Sequence, residues 1–405
     1  MKRAAILASV ALFLVSCAER PQGDAKPEDK AAAKADSDVD YDAIATRVVT
    51  ESAGVKPGEI VVINGTLAEP KLLEALTGAV AMAGGHPIVT VDFPSVDKKF
   101  VSQAPEQYLR QQSRGELALI EAGDVFINAS AVEDPALFAD VDDNRLNIVR
   151  EANQAVGQTA MRKRSRAVSI GQSGGIPTPA FAKSQDADYD DMRAMFLRAL
   201  AVPAATIAER GRAVTGRMQP GSTVRLRTAE GTDLTFRLSG KPARVSTGRA
   251  SDNDTGTGRA DTWLPAGDYY ACVEPNSASG VLVTTRQSFR GSRVGNLRIT
   301  FQDGLATAIT AESGGEALNR YLAQLDEAAK RMSLINIGLN PESRPLEGSH
   351  YLSWEMAGVP TVVLGNSQWA GCDHGAEDSF DVHLAQATLA AGDKPVVNNG
   401  ALVLE

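Results

Sequence analysis

The hydrophobic period changes partway along this chain, and that change limits its fold more than any other feature. Up to about residue 200, short apolar runs alternate with stretches of helical period. Ile60–Ile63, Ile88–Val91, Val125–Ile127 and Ala167–Ile170 read as buried strands. Helical stretches lie around them at Tyr41–Ser52 (with Ile44, Val48 and Val49 on one face), Pro70–Ala83, Glu106–Glu121 and Asn144–Ala155. Strands alternating with helices predict right-handed βαβ units and a mostly parallel sheet covered on both faces. Asp188–Gly216 reads as helix broken at Pro203. From Ser222 the period becomes two. Val224–Arg227 and Leu234–Arg237 flank a turn, and Leu297–Phe301 and Leu305–Ile309 flank Gln302-Asp303-Gly304; both are hairpin signals. A helix is expected over Glu316–Met332, with Leu318, Leu322 and Leu325 as its core stripe, followed by strands at Leu334–Ile337 and Thr361–Leu364. The fold class is therefore α/β: an N-terminal domain with a mostly parallel βαβ sheet over residues 41–205, then a C-terminal mixed α+β domain with antiparallel strands over residues 206–405.

The first forty residues belong to neither domain. Lys2 and Arg3 precede an apolar run, Ala4–Val15, too short to span a bilayer as a mature helix. It ends in Leu14-Val15-Ser16-Cys17, which resembles the bacterial lipobox, whose Cys is lipidated and becomes the new N-terminus. Residues 1–17 are read as the signal segment and Cys17 as the lipidation site. Several acyl chains together make a stable membrane anchor. Ala18 after the Cys favours the outer membrane, facing the periplasm, in a Gram-negative cell. Residues 18–40 are rich in Ala, Asp, Lys, Glu and Pro, bury too little to order themselves, and form a flexible tether.

The net charge of −9 excludes broad nucleic-acid binding, and the run Arg162-Lys163-Arg164 reads as a solvated loop. Gly171, Gly174 and Gly175 lack the spacing of a dinucleotide fingerprint, and no nucleophile elbow is present. The loop Gly248–Asp261 reads as a mobile surface segment. Cys272 and Cys372 leave two readings open, a disulfide in an oxidising envelope or two buried thiols. Cys372 beside His374 is a poor nucleophile pair, because near neighbours on one turn often point apart.

Six motifs in order carry a resemblance: Gly54-Val55-Lys56-Pro57-Gly58-Glu59-Ile60-Val61, Ala83-Gly84-Gly85-His86-Pro87, Gly231-Thr232-Asp233-Leu234, Leu264-Pro265-Ala266-Gly267-Asp268, the strand and turn Leu297–Gly304, and Ile337-Gly338-Leu339-Asn340-Pro341. From residue 41 onward the chain resembles the aminopeptidase T/aminopeptidase S family of metallopeptidases. That resemblance implies removal of N-terminal residues from peptides, two divalent ions activating a bridging water, and a homodimer. A related ring-cleaving dihydroxypyridine dioxygenase uses one metal, so a ferrous oxygenase is a further reading, as is a scaffold lipoprotein that keeps the fold without the catalysis. Carried over residue by residue, the family's ligands fall on Asp268 (Asp for Glu), Leu334 (for Glu), Thr361 (for His), His383 (for His) and Ala385 (for Asp). Three of the four histidines lie between residues 350 and 383, near Glu347, Glu355, Asp373, Glu377, Asp378 and Asp381. Two readings stay open: surface polar residues that order their loops by hydrogen bonds, or a rearranged site with His350, His374 and His383 joined by Asp268 or Asp381 around Zn, Mn, Co or Fe. At least three of these five are expected to converge. His86 reads as structural.

Overall fold

The computed structural model describes residues 39–131, 137–163, 165–171, 175–253, 260–285, 287–289, 292–346, 349–376 and 378–405. Cys17 and most of the tether, Arg164, Gly174, much of the Gly248–Asp261 loop, and Glu347, Gly348 and Glu377 lie outside these residues. Residues Asp40–Glu405 form one compact unit. Among the described residues no helix is long and apolar enough to cross a membrane.

In the first half the strands are β1 (Ile60–Gly65), β2 (His86–Val91), β3 (Val125–Ala129) and β4 (Arg166–Ile170). They are followed by β5 (Thr223–Arg227), β6 (Asp233–Arg237), β7 (Arg244–Ser246), β8 (Ala260–Leu264), β9 (Asp268–Cys272), β10 (Ser279–Thr284), β11 (Gln287–Phe289), β12 (Ser292–Val294), β13 (Leu297–Gln302) and β14 (Leu305–Thr310). The last six are β15 (Met332–Gly338), β16 (Pro360–Gly365), β17 (Ser379–His383), β18 (Thr388–Ala391), β19 (Lys394–Asn398) and β20 (Ala401–Leu402).

β2-β1-β3-β4-β8 form one sheet whose pairs are all parallel. Its fifth strand, β8, comes from residues 260–264, so the chain returns to this sheet after building β5–β7. The antiparallel part is a sandwich of an eight-stranded sheet, β14-β13-β10-β6-β5-β18-β19-β20, and a five-stranded one, β17-β16-β15-β9-β7. Both predicted hairpins are present, as β5–β6 and β13–β14.

Several helices differ from the sequence expectation at their ends, for local reasons. Tyr41–Arg47 is α-helical, but Val48–Ser52 continues as a π-helical turn. The single helix expected over Glu106–Glu121 is two, Glu106–Leu109 and Arg114–Ala122, because Ser113 between them turns its hydroxyl to cap the Glu116 amide. Pro94–Gln103 is an additional helix with its proline in the first turn, where no amide donor is needed. Asn144–Ala155 likewise divides into Asp143–Ala152 and Gln154–Lys163. The helix expected to reach Met332 ends at Gln324. Met332 is instead the first residue of β15, buried and paired with Leu364.

The core of the sandwich positions the site. Along the five-stranded sheet, Tyr269, Ala271, Ile335, Ile337, Val362, Leu364, Phe380 and Val382 face inward. They meet Val224, Leu226, Leu234, Phe236, Leu282, Ile299, Phe301 and Leu389 from the eight-stranded sheet. Strand side chains alternate between faces. The intervening residues Asp268, Tyr270, Cys272, Leu334, Asn336, Thr361, Val363, Asp381 and His383 therefore share the opposite, outer face. Every residue of β15 and β16 is buried, so this outer face is covered as well.

Candidate functional site

The register of the five-stranded sheet lines up the outer-face residues. Tyr270 pairs with Asn336, Asn336 with Thr361, and Thr361 with His383, making one row across four strands. Below it, Cys272 pairs with Leu334, and Val363 with Asp381. Above it, Asp268 pairs with Gly338. A Cβ on Gly338 would meet the Met356 backbone within 2.0 Å, and the Asn340 amide donates to the Glu355 carbonyl at 2.7 Å. Gly338 thus lets the segment carrying Trp354, Glu355 and Met356 lie directly on the outer face.

At the β9 end of the row the chemistry is acidic and dry. Asp268 is 2% exposed, Glu355 1% and Asn336 0%. Among the described residues, Asp268 Oδ1, Glu355 Oε1 and Asn336 Oδ1 have no hydrogen-bond partner. Asn336 Nδ2 donates to the Trp354 carbonyl at 2.9 Å. Burial pushes the Asp268 carboxyl up to about 7, against the opposing hydrogen bond from Tyr270. Glu355 is raised well above the ordinary carboxylate range, first by burial and then by the charge of Asp268. Tyr270 and Tyr351 are also raised, first by burial, and both feel the Glu355 charge. Asp268 and Glu355 act on each other, and Asn336 lies two residues from Gly338 on the same face of β15; these acceptors call for a positively charged or proton-bearing guest, since a buried acceptor left unpaired costs about 1–3 kcal/mol.

At the β17 end, the structure brings three of the five expected ligands together. His350 and His383 stack with ring centroids 5.6 Å apart, and His383 Nε2 lies 2.9 Å from Asp381 Oδ2. Burial acts to raise Asp381, but the hydrogen bond and charge of His383, with a smaller contribution from His350, outweigh it and hold the carboxyl below its ordinary value. His383 Nδ1 is hydrogen-bonded to Thr361 Oγ1 at 2.7 Å. A carboxylate only accepts, so Nε2 donates to Asp381, while Nδ1 is engaged with the Thr361 hydroxyl. Neither nitrogen then offers a lone pair to a metal.

The other two expected ligands stand apart. His374 Nε2 donates to the Ala328 carbonyl at 2.8 Å. Ala329, next to that carbonyl, lies against Gly365, at the other end of β16 from Thr361. Four residues of strand separate those ends, about 13 Å. Asp268 lies on β9, three strands from His383 on β17. That is about 14 Å at the usual strand spacing, too far for both side chains to reach one ion. Among the described residues, no group of three or more His, Cys, Asp or Glu side chains is placed to hold a metal ion.

Between the two ends the outer face is apolar. Leu334, at the position where the resemblance had placed a Glu ligand, packs with Tyr270, Val363, Ala370 and Cys372. Cys272 and Cys372 form a disulfide, which settles the alternative left open by the sequence. Trp369 meets Tyr270 edge-on at 5.5 Å and Trp354 at 5.9 Å, and Trp354 meets His383 at 5.8 Å. Sequence reasoning noted Glu355 among the acidic neighbours of the histidines but did not place it in the site. The available signal was a single acid in the otherwise uncharged stretch Tyr351–Gly358. Asn336, a polar residue in the middle of an apolar strand, carried a similar signal.

A family profile described as thermophilic metalloprotease (M29) matches residues 38–356. The chain belongs to that family, whose members are metal-dependent, and its fold is aminopeptidase-like. Wild-type AmpT from Thermus thermophilus superposes with a TM-score of 0.62 at 16% identity, over 90% of this chain and 98% of that one. The 2,5-dihydroxypyridine dioxygenase of Pseudomonas putida KT2440 superposes with a TM-score of 0.57, also at 16% identity, over 90% of this chain and 96% of that one. A search of curated protein sequences returns no match.

The donor set does not fit a two-metal centre. The buried acceptors at Asp268, Asn336 and Glu355 are all oxygens, which suit magnesium, calcium, manganese or an ammonium group better than zinc or copper. Of the imidazoles that would complete a zinc, cobalt or iron site, His383 has both nitrogens engaged and His374 stands apart.

Proposed function

We propose that this protein is an aminopeptidase-like member of the metalloprotease family, tethered to the bacterial envelope, that holds the amino end of a peptide without hydrolysing it by the two-metal route. The observation that carries this reading is the trio of unpartnered buried oxygens on Asp268, Asn336 and Glu355. A peptide's terminal ammonium supplies the donors and the charge that these acceptors lack. The Tyr270, Trp354 and Trp369 rings beside them suit an apolar first side chain and add cation–π attraction. Lipidated Cys17 anchors the chain in the outer membrane, and the tether lets the body reach peptides in the periplasm.

Metal analysis and peptide binding on the detergent-solubilised full chain test this together. The expected result is no stoichiometric transition metal, retention of peptides with a free amino end over N-acetylated ones, and no cleavage after loading with zinc, manganese or cobalt. Two ions per chain with release of N-terminal residues would restore the hydrolytic reading, and a single ferrous ion with oxygen uptake would point to an oxygenase. The anchor is tested separately. Cys17→Ala should abolish incorporation of radiolabelled palmitate and move the protein out of the membrane fraction.

A further inference from the structure

We propose that Asn366–Ala376 form a cap on the Asp268–Glu355 floor, locked by the Cys272–Cys372 disulfide and released by thiol–disulfide exchange. This rests on the reading of the outer face as an amino-end site. The acceptor trio is almost fully buried, so a guest reaches it only if part of its cover moves. Asn366–Ala376 cover Tyr270 and Trp354, the neighbours of Asp268 and Glu355. Ala370 and Cys372 pack on Tyr270, Leu334 and Val363, and Trp369 closes against Tyr270 and Trp354 while remaining 43% exposed.

The cap's own hydrogen bonds are local turns. Ala370 and Cys372 both donate to the Ser367 carbonyl, and Gly371 donates to Gln368. Such bonds hold its shape but not its position. Position comes from contacts to the rest of the molecule. His374 donates to Ala328, and Lys241 reaches both Asp373 and the Gly371 carbonyl. The Lys241–Asp373 pair is 39% and 87% exposed, so solvent screening leaves it weak. The Asn366 amide also donates to the Asp378 carbonyl, and the covalent tie from Cys372 to Cys272 on β9 is the restraint that reduction removes. It joins the cap to the same strand that carries Asp268 and Tyr270.

Release requires a dithiol reductant, and the chemistry balances without further participants. A reductant thiolate attacks one cystine sulfur, the S–S bond breaks, and the departing cysteine thiolate takes up a proton. The reductant's second thiol then displaces the bound cysteine and closes the reductant's own disulfide. Two electrons pass to the protein, and both cysteines end as thiols. Of the chain's three cysteines the third is Cys17, so the lipidated protein presents a single disulfide to the reductant.

The experiment compares the solubilised full chain oxidised, and reduced with dithiothreitol then alkylated. Hydrogen exchange is followed over Asn366–Ala376, together with affinity for short peptides carrying free or acetylated amino ends. Reduction should raise exchange in this segment at least about tenfold. It should tighten binding of the free-amine peptide by a similar factor, because apparent affinity scales with the fraction of open protein. Unchanged exchange on reduction would overturn the cap. Raised exchange with equal binding in both states would overturn its role as a gate. Raised exchange with no discrimination for the free amine in either state would leave the cap standing and sink the amino-end reading. The double variant Cys272→Ser, Cys372→Ser should reproduce the reduced behaviour. Should it fail to fold, the reduced wild type, checked by circular dichroism, carries the comparison.

Discussion

The two faces of the β17-β16-β15-β9-β7 sheet obey opposite rules although they share one backbone. The inner face is a continuous aliphatic and aromatic layer against the eight-stranded sheet. The outer face alternates acids, amide, hydroxyl and imidazole with a disulfide and tryptophans. The inner face shows how the fold is held, and the outer face shows where the fold tolerates cost. Two buried carboxyls with unpartnered oxygens stabilise nothing by themselves. They persist on a sheet whose other side supplies the needed stability, a division expected of functional sites.

The comparison breaks most sharply on the inner face. Phe301, on β13 of the eight-stranded sheet that packs against this face, is 1% exposed. Phe301→Ala should cost about 3–5 kcal/mol through lost burial and the cavity left behind, read by urea unfolding. A loss under about 1 kcal/mol would show that the inner face is not the main source of stability. Next in size is the disulfide, which spans a sequence separation of 100 residues. Removing it should lower stability by about 2–4 kcal/mol, chiefly by freeing the unfolded chain. An unchanged melting temperature after reduction would contradict this.

Asp268 gives a pH signature that the inner face lacks. Its folded-state pKa of about 7 lies above the ordinary value of 3.8. The folded state therefore binds the extra proton, and stability contributed by the neutral form is present below about pH 4 and lost as pH rises to about 7. Asp268→Asn should remove that dependence and stabilise the protein at pH 8 by on the order of 2–4 kcal/mol relative to its effect at pH 4. Parallel stability curves for variant and wild type between these pH values would refute the burial of an unpaired carboxyl. The smallest effect is expected at Lys241→Met. It should change global stability by less than about 1 kcal/mol, yet increase hydrogen exchange in Asn366–Ala376, because the pair holds the cap rather than the core.

Legibility from the sequence followed the same division. The core of the sandwich was readable because Val224 and Leu226 alternate with polar residues and Leu334 to Ile337 form a short apolar run, so both announced strands with no knowledge of their partners. The parallel sheet was readable for the corresponding reason. The helix ends were less so, since Ser113 acts through a single local bond that weighs little in a periodic pattern. The outer face was half readable. Asp268, His350, His383 and Asp381 were singled out by residue type, and the structure joins the last three in one contact group. Glu355 was passed over because nothing in its neighbourhood along the chain reveals that it faces Asp268. The expected ligand role for His383 depended on a free nitrogen, and the hydroxyl that occupies it, Thr361, lies 22 positions away.

What the sequence determined by itself was the alternation of strands and helices, the change to antiparallel hairpins after residue 222, and the family these features belong to. Each is encoded in short-range spacing, which survives without tertiary context. The tertiary structure alone decided that β8 joins the parallel sheet, that Cys272 finds Cys372, and that Glu355 stands over Asp268 while His383 turns both nitrogens to Thr361 and Asp381. Those outcomes depend on which distant strands become neighbours and in what register. A shift of one residue in that register would carry Asp268, Cys272, Thr361 and His383 to the opposite face.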